Sequence, residues 1–179
     1  AHRCCSGDPD ADDALMMYLG EGAEEWTDYR VEAQFIIPTE NSQKQGLWVR
    51  GQYEASETRG QWVTGSYVML EGKRRVRLLQ LQIAEDCVGG ACENPQNQYH
   101  FSNPYVLHDV RVPDWELTRH AWHTLAVEVR GNKISVWVDG RFALEHVDGP
   151  QPFLKGTVGL KTYQAKPVIY DNVVVTPLD

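Results

Sequence analysis

A chain of 179 residues with a formal charge of −8 at pH 7 and 42% hydrophobic residues has the size and composition of one globular domain. No apolar run approaches the roughly 18 residues that a membrane-spanning helix needs, so no membrane insertion is expected. The negative charge repels phosphate backbones and there is no basic stripe beyond Lys73-Arg74-Arg75, which reads as a solvated turn, so nucleic acid is not an expected partner.

The N-terminal arm, residues 1–13, carries Cys4 and Cys5, and the remaining cysteines are Cys87 and Cys92. Neither cluster has the C-x-x-C spacing of a zinc knuckle or redox motif. Structural disulfides are therefore expected, in a secreted, extracellular or periplasmic protein. A Cys87 to Cys92 bridge would require a strained vicinal Cys4–Cys5 bond. Two cross-links from the arm to the 87–92 loop would instead pin a loose end, and the sequence leaves both arrangements open.

ALMMYLGEG (14–22) reads as a strand, although its Ala-Leu-Met-Met start also suits a helix. From Tyr29 the alternation is regular: Tyr29, Val31, Ala33, Phe35 and Ile37 share one face, and Arg30, Glu32 and Gln34 the other. That is a half-buried strand, ended by Pro38 and followed by a polar loop at 39–45. GLWVRGQYE (46–54), GSYVMLEG (65–72) and VRLLQLQI (76–83) continue the pattern. In EVRGNKISVWVDGRFALEHV (128–147), Gly131-Asn132-Lys133 and Asp139-Gly140 interrupt apolar alternation and predict three strands joined by two tight turns. TVGLKTY (157–163) and VIYDNVVVTPL (168–178) complete the series.

Short strands punctuated by Gly, Pro, Asn and Asp, with little helical periodicity, predict a single all-β domain over 1–179. Its fold class is an antiparallel two-sheet jelly-roll sandwich with one long loop insertion at 84–121. The insertion holds three prolines, two cysteines and the aromatics Tyr99, Phe101, Tyr105 and Trp115, and is expected to pack on its own domain.

Alternation also selects candidate site residues. Leu47 and Val49 point one way and Trp48 and Arg50 the other, while Ile134, Val136 and Val138 oppose Trp137. If the aliphatic sets form the core, Trp48, Arg50 and Trp137 lie on an outer sheet face, where indoles stack against sugar rings and Arg binds hydroxyls, unless the insertion covers them. Tyr53 and Trp62 flank the polar loop EASETRGQ and are candidate sugar contacts. Trp122 is expected in the core. His120 and His123 fall on opposite faces and make no zinc pair, and no Ser/His/Asp or Cys/His arrangement is readable.

Five segments in order carry a family likeness: WTDYRVEAQFIIP (26–38), GLWVRG (46–51), GSYVMLEGKRRVRLLQL (65–81), WHTLAVEVRGNKISVWVDGRFALEHVD (122–148) and GTVGLKTYQAKPVIYDNVVVTPL (156–178). The chain resembles the concanavalin A-like, or laminin-G-like, jelly-roll superfamily. Within it the chain is most similar to bacterial single-domain types, including 3-keto-disaccharide hydrolase-like domains and carbohydrate-binding modules. The resemblance implies a structural calcium held by Asp171 with Asp12 or its neighbours Asp8, Asp10 and Asp13. It also implies functions from lectin to glycoside hydrolase. The Glu-x-Asp-x-x-Glu strand motif of hydrolases with this fold is absent: Val68, Met69 and Leu70 stand where acids are needed, and Glu54 and Glu57 read as solvated. The expected function is an exported, non-catalytic carbohydrate-binding or adhesion module that takes a glycan or polysaccharide through aromatic stacking. A glycoside hydrolase-like enzyme and a self-assembling structural subunit of an extracellular assembly are the alternatives.

Overall fold

A computed structural model describes residues 2–3, 14–37, 44–56, 60–81, 105–112, 116–150, 152–162 and 168–179. They form two antiparallel sheets stacked face to face. The seven-stranded sheet contains β1 (His2–Arg3), β2 (Ala14–Met17), β4 (Lys44–Ser56), β5 (Gly60–Glu71), β6 (Arg75–Leu81), β7 (Tyr105–Arg111) and β11 (Thr157–Thr162), in the spatial order β1-β2-β11-β4-β5-β6-β7. The five-stranded sheet contains β3 (Tyr29–Ile36), β8 (Trp122–Arg130), β9 (Lys133–Val138), β10 (Arg141–Val147) and β12 (Ile169–Pro177), in the order β10-β9-β8-β3-β12. The expected jelly-roll sandwich is the fold found. The one helical element among the described residues is a short 3₁₀ turn, Ala23–Glu25, and no helix there is long and apolar enough to cross a membrane.

Period-two patterning builds the core. Tyr29, Val31, Ala33 and Phe35 of β3 are buried in alternation with half-buried Arg30, Glu32 and Gln34. They meet Leu47, Val49, Val68, Leu70, Val76 and Leu78 from the facing sheet, and Val127, Val129, Ile134 and Val136 extend the layer. A Cβ on Gly46 would run into the Val68 carbonyl, so β4 and β5 approach closely only because that residue has no side chain.

Both tight turns lie where the sequence places them. Gly131-Asn132 joins β8 to β9 at the Arg130–Lys133 pair. Asp139-Gly140 joins β9 to β10, with φ of 49° and 73°, the paired left-handed backbone that a two-residue hairpin matching the strand twist requires. The Asp139 carboxylate ties the turn to β8 through both oxygens, accepting the Thr124 N–H at 2.8 Å and facing His123 Nδ1 at 2.8 Å.

Two sequence expectations change. Part of the stretch expected to be a loop, Tyr105–Arg111, is strand β7, which pairs antiparallel with β6. Its mixed composition gave no clean alternation, since polar His108, Asp109 and Arg111 interrupt it, and Asp109 pairs with Arg75 and Arg77 of β6. Trp122 is half exposed rather than in the core. The strand buries His123, Leu125, Val127 and Val129, and that parity turns Trp122 outward.

Candidate functional site

The outer face of the seven-stranded sheet carries two contiguous features, one aromatic and one charged. Trp48, Tyr67, Met69 and Leu79 form a second apolar cluster separate from the sandwich core, with Met17 and Tyr53 packed against it. The Trp48 and Tyr67 rings stack at 4.9 Å with an interplanar angle of 26°, and Lys161 Nζ lies 4.8 Å from the centre of the Tyr67 ring. Trp48 does turn away from Leu47 and Val49, as alternation requires, but it is 0% exposed. Its indole is therefore part of a small outer core and offers no open stacking surface.

The charged feature begins where this cluster ends. Glu71 on β5, Arg75 and Arg77 on β6 and Asp109 on β7 are joined across neighbouring strands. Arg75 grips Asp109 with two parallel hydrogen bonds, one from Nε to Oδ1 at 2.7 Å and the other from Nη2 to Oδ2. Arg77 reaches Glu71 at 3.1 Å and Asp109 at 3.5 Å, and Arg75 also reaches Glu71 at 3.4 Å. Such bidentate, planar contacts fix orientation as well as charge.

The turn after β5 adds the rest. Gly72 has φ of 62° and brings Lys73 and Arg74 onto Glu116, at 2.7 and 3.1 Å. The Lys73 and Arg74 carbonyls accept the N–H groups of Leu117 and Val112, which ties the incoming segment to the turn. The basic triplet lies at an exposed turn, as expected, and its side chains are paired there with Glu116, Glu71 and Asp109. Between the turn, Glu116 and the ends of β6 and β7 lies an open cleft of about 730 Å³, lined by charged side chains and Gly72. The hydrogen bond from Arg75 holds the Asp109 carboxyl below the usual carboxylate range. Lys73, with Arg74, does the same to Glu116. Both carboxylates are fixed acceptors near neutral pH.

The other sequence candidates are dispersed. Arg50 is corrected: it lies inside the sandwich at 0% exposure. A bulge in β4 between Val49 and Gln52 puts Arg50 at φ 52°, which breaks the alternation and swings the guanidinium inward. There it donates to the Phe153 carbonyl at 2.8 Å and to the Thr27 carbonyl at 3.4 Å, and lies 3.6 Å from Asp28. Burial lowers its pKa, partly offset by Tyr29, Asp28 and Asp148.

Trp137 is half-buried on the outer face of the other sheet, with the Arg30 guanidinium 4.9 Å from its ring centre and Phe142 edge-on at 5.9 Å. Trp48 and Trp137 thus lie on opposite faces of the molecule. The backbone of Trp62 pairs with that of Glu54 across β4 and β5; the side chains of both, and all of Glu57, lie outside the described residues. Asp171 is exposed at an irregularity of β12, and its Oδ1 accepts the Asn172 N–H at 2.8 Å. Among the described residues no group of three or more His, Cys, Asp and Glu side chains is placed to hold a metal ion. Asp8, Asp10, Asp12 and Asp13, and Cys4, Cys5, Cys87 and Cys92, lie outside the described residues. Sequence reasoning missed Arg75, Arg77, Asp109 and Glu116. The available signal was the KRR turn after a strand, together with acids in the following segment.

No curated protein matches the chain. Among solved structures, it is similar to the carbohydrate-binding module CBM66 from Bacillus subtilis, at 15% identity and a TM-score of 0.63, with 91% of this chain and 81% of that one covered. A protein of unknown function with a galectin-like fold, also from Bacillus subtilis, aligns at 12% identity and TM-score 0.62 over 94% and 79% of the two chains. Sheep galectin-11 in complex with glycerol aligns at 10% identity and TM-score 0.56 over 91% and 96%. At these identities the likeness shows the sandwich fold. The family model for the 3-keto-alpha-glucoside-1,2-lyase-like domain matches residues 19–176, and over that span the chain belongs to this family of sugar-lyase-like jelly-roll domains.

Proposed function

We propose that this domain binds a carbohydrate in the cleft at the β5–β6 turn, using the charged lattice of Glu71, Arg75 and Asp109 to hold hydroxyl groups. The carrying observation is the pairing of guanidinium and carboxylate groups in fixed geometry across three adjacent strands at the mouth of the cleft. A sugar presents neighbouring hydroxyls that each donate and accept. Planar side chains already held in register bind them without losing rotamer freedom. The fold shared with a carbohydrate-binding module and with galectins supports this reading. The burial of Trp48 leaves that indole no open face for stacking, and the exposed charged side chains of the cleft support polar contact instead.

The test is titration of an oligosaccharide panel followed by NMR shifts. Asp109→Ala is expected to weaken binding about tenfold, by loss of a charge-assisted acceptor and release of Arg75, whereas Trp137→Ala leaves it unchanged. Shifts that cluster at Trp137, with Asp109→Ala silent, would remove the cleft from consideration.

The family match supports a second reading, elimination across C1 and C2 of a 3-ketoglucoside. That reaction needs a base for the C2 proton, and carboxylates held as firmly ionised as Asp109 and Glu116 are weak bases. Binding is therefore the preferred reading. Turnover of a 3-ketoglucoside by the purified domain would reverse the preference.

A further inference from the structure

Four cationic side chains and three carboxylates line the cleft, in a chain whose formal charge is −8. Each carboxylate is already taken: Glu116 by Lys73 and Arg74, Asp109 by Arg75 and Arg77, Glu71 by Arg75 and Arg77. Arg111 is left over. Among the described residues it has no ion-pair partner, and it is exposed on β7 directly across from Arg75. Like charges set opposite each other on adjacent strands oppose pairing. Among the described lining residues the cleft thus keeps an excess of positive charge, because the three acids that line it are each already paired.

We infer that the cleft takes a negatively charged sugar, its carboxylate resting on Arg111 and the adjacent edge of Arg75. This rests on the carbohydrate-binding reading and adds the substrate class, a uronic-acid-containing glycan. A sugar carboxylate is planar and matches the guanidinium fork with two parallel hydrogen bonds. Its hydroxyls then fall toward Asp109 and Glu71, which accept from hydroxyls but repel a second charge. The site therefore favours one acidic group on a polyhydroxyl ring over a dense polyanion.

Calorimetric titration of the domain separates the possibilities, with oligogalacturonide, the matching neutral oligogalactose and inorganic sulfate as probes, for wild type, Arg111→Ala and Arg111→Lys. The expected result is tighter binding of the acidic oligosaccharide than of the neutral one, by about tenfold, with the difference abolished in Arg111→Ala and partly kept in Arg111→Lys. The difference should shrink as salt is raised. Arg111 is exposed, so both variants are expected to keep the wild-type thermal midpoint, and this is checked first. Equal binding of acidic and neutral sugars, unaffected by Arg111→Ala, overturns the acidic-sugar inference and leaves carbohydrate binding standing. Sulfate competing as strongly as the oligosaccharide shows a site that reads charge alone and also overturns it. Absence of binding by any oligosaccharide overturns both readings.

Discussion

The Tyr29 hydroxyl accepts the backbone N–H of Arg50 at 2.7 Å and donates to the Gly156 carbonyl at 3.2 Å. One phenol from the five-stranded sheet thus satisfies the bulge of β4 and the chain entering β11, both in the other sheet. Burial pushes its pKa up to about 12, so it remains a donor throughout the working range. Tyr29→Phe should leave a buried N–H and a buried C=O unpaired and cost about 1–3 kcal/mol, read from urea denaturation.

Arg50→Ala tests whether the interior guanidinium is structural. It removes the bonds to Phe153 and Thr27 and strips Asp148 of a nearby cation. A loss of about 3 kcal/mol or more is expected, with sugar affinity per folded molecule unchanged. An intact denaturation midpoint combined with lost binding would return Arg50 to the site.

Trp48 and Trp137, both turned away from the sandwich core, should behave differently. Trp48→Ala empties a fully buried position between Tyr67 and Met17 and is expected to cost about 3–5 kcal/mol. Trp137→Ala removes a half-exposed ring and its contact with Arg30, for about 1 kcal/mol. Acrylamide quenching of single-tryptophan variants checks the same point, with Trp48 the less accessible.

Stability against pH should carry opposing contributions from the acids. Asp109 and Glu116 have lowered folded pKa values. Their stabilisation is present above the ordinary carboxylate value and is lost as pH falls through the lowered one. Asp148 is shifted the other way, raised by burial and only partly restored by His146 and Arg50. Its folded form retains a proton that the unfolded chain has released, so stability falls as pH rises from the ordinary aspartate value through the raised one. Asp148→Asn should flatten that decline, and Asp109→Asn the acid-side loss, in denaturation midpoints measured across the carboxylate range.

Patterning made the sandwich legible. Residues 29–37 and 133–138 alternate cleanly because one face supplies the apolar core and the other turns away from it, and period two in the sequence is the imprint of that boundary. The Asp139-Gly140 turn was legible for a local reason, since few residue pairs accept two left-handed conformations in succession. β7 was not, because its pairing depends on β6 and its Asp109 satisfies Arg75 and Arg77, which lie far away in sequence. The same distance hid the candidate site. Arg75 and Asp109 are 34 residues apart and nothing local links them.

By itself the sequence determined the all-β class, most strands, two hairpin turns and the jelly-roll likeness, since each is set by neighbouring residues and the hydrophobic effect. Only the tertiary structure decided that Arg50 turns inward and that Trp48 is covered. It also decided that the basic turn and the acids of the following segment converge on one cleft. A bulge reverses the side of a strand without changing its composition, and burial on an outer face depends on what packs over it. Ion pairing between strands is fixed by register, which no single segment contains.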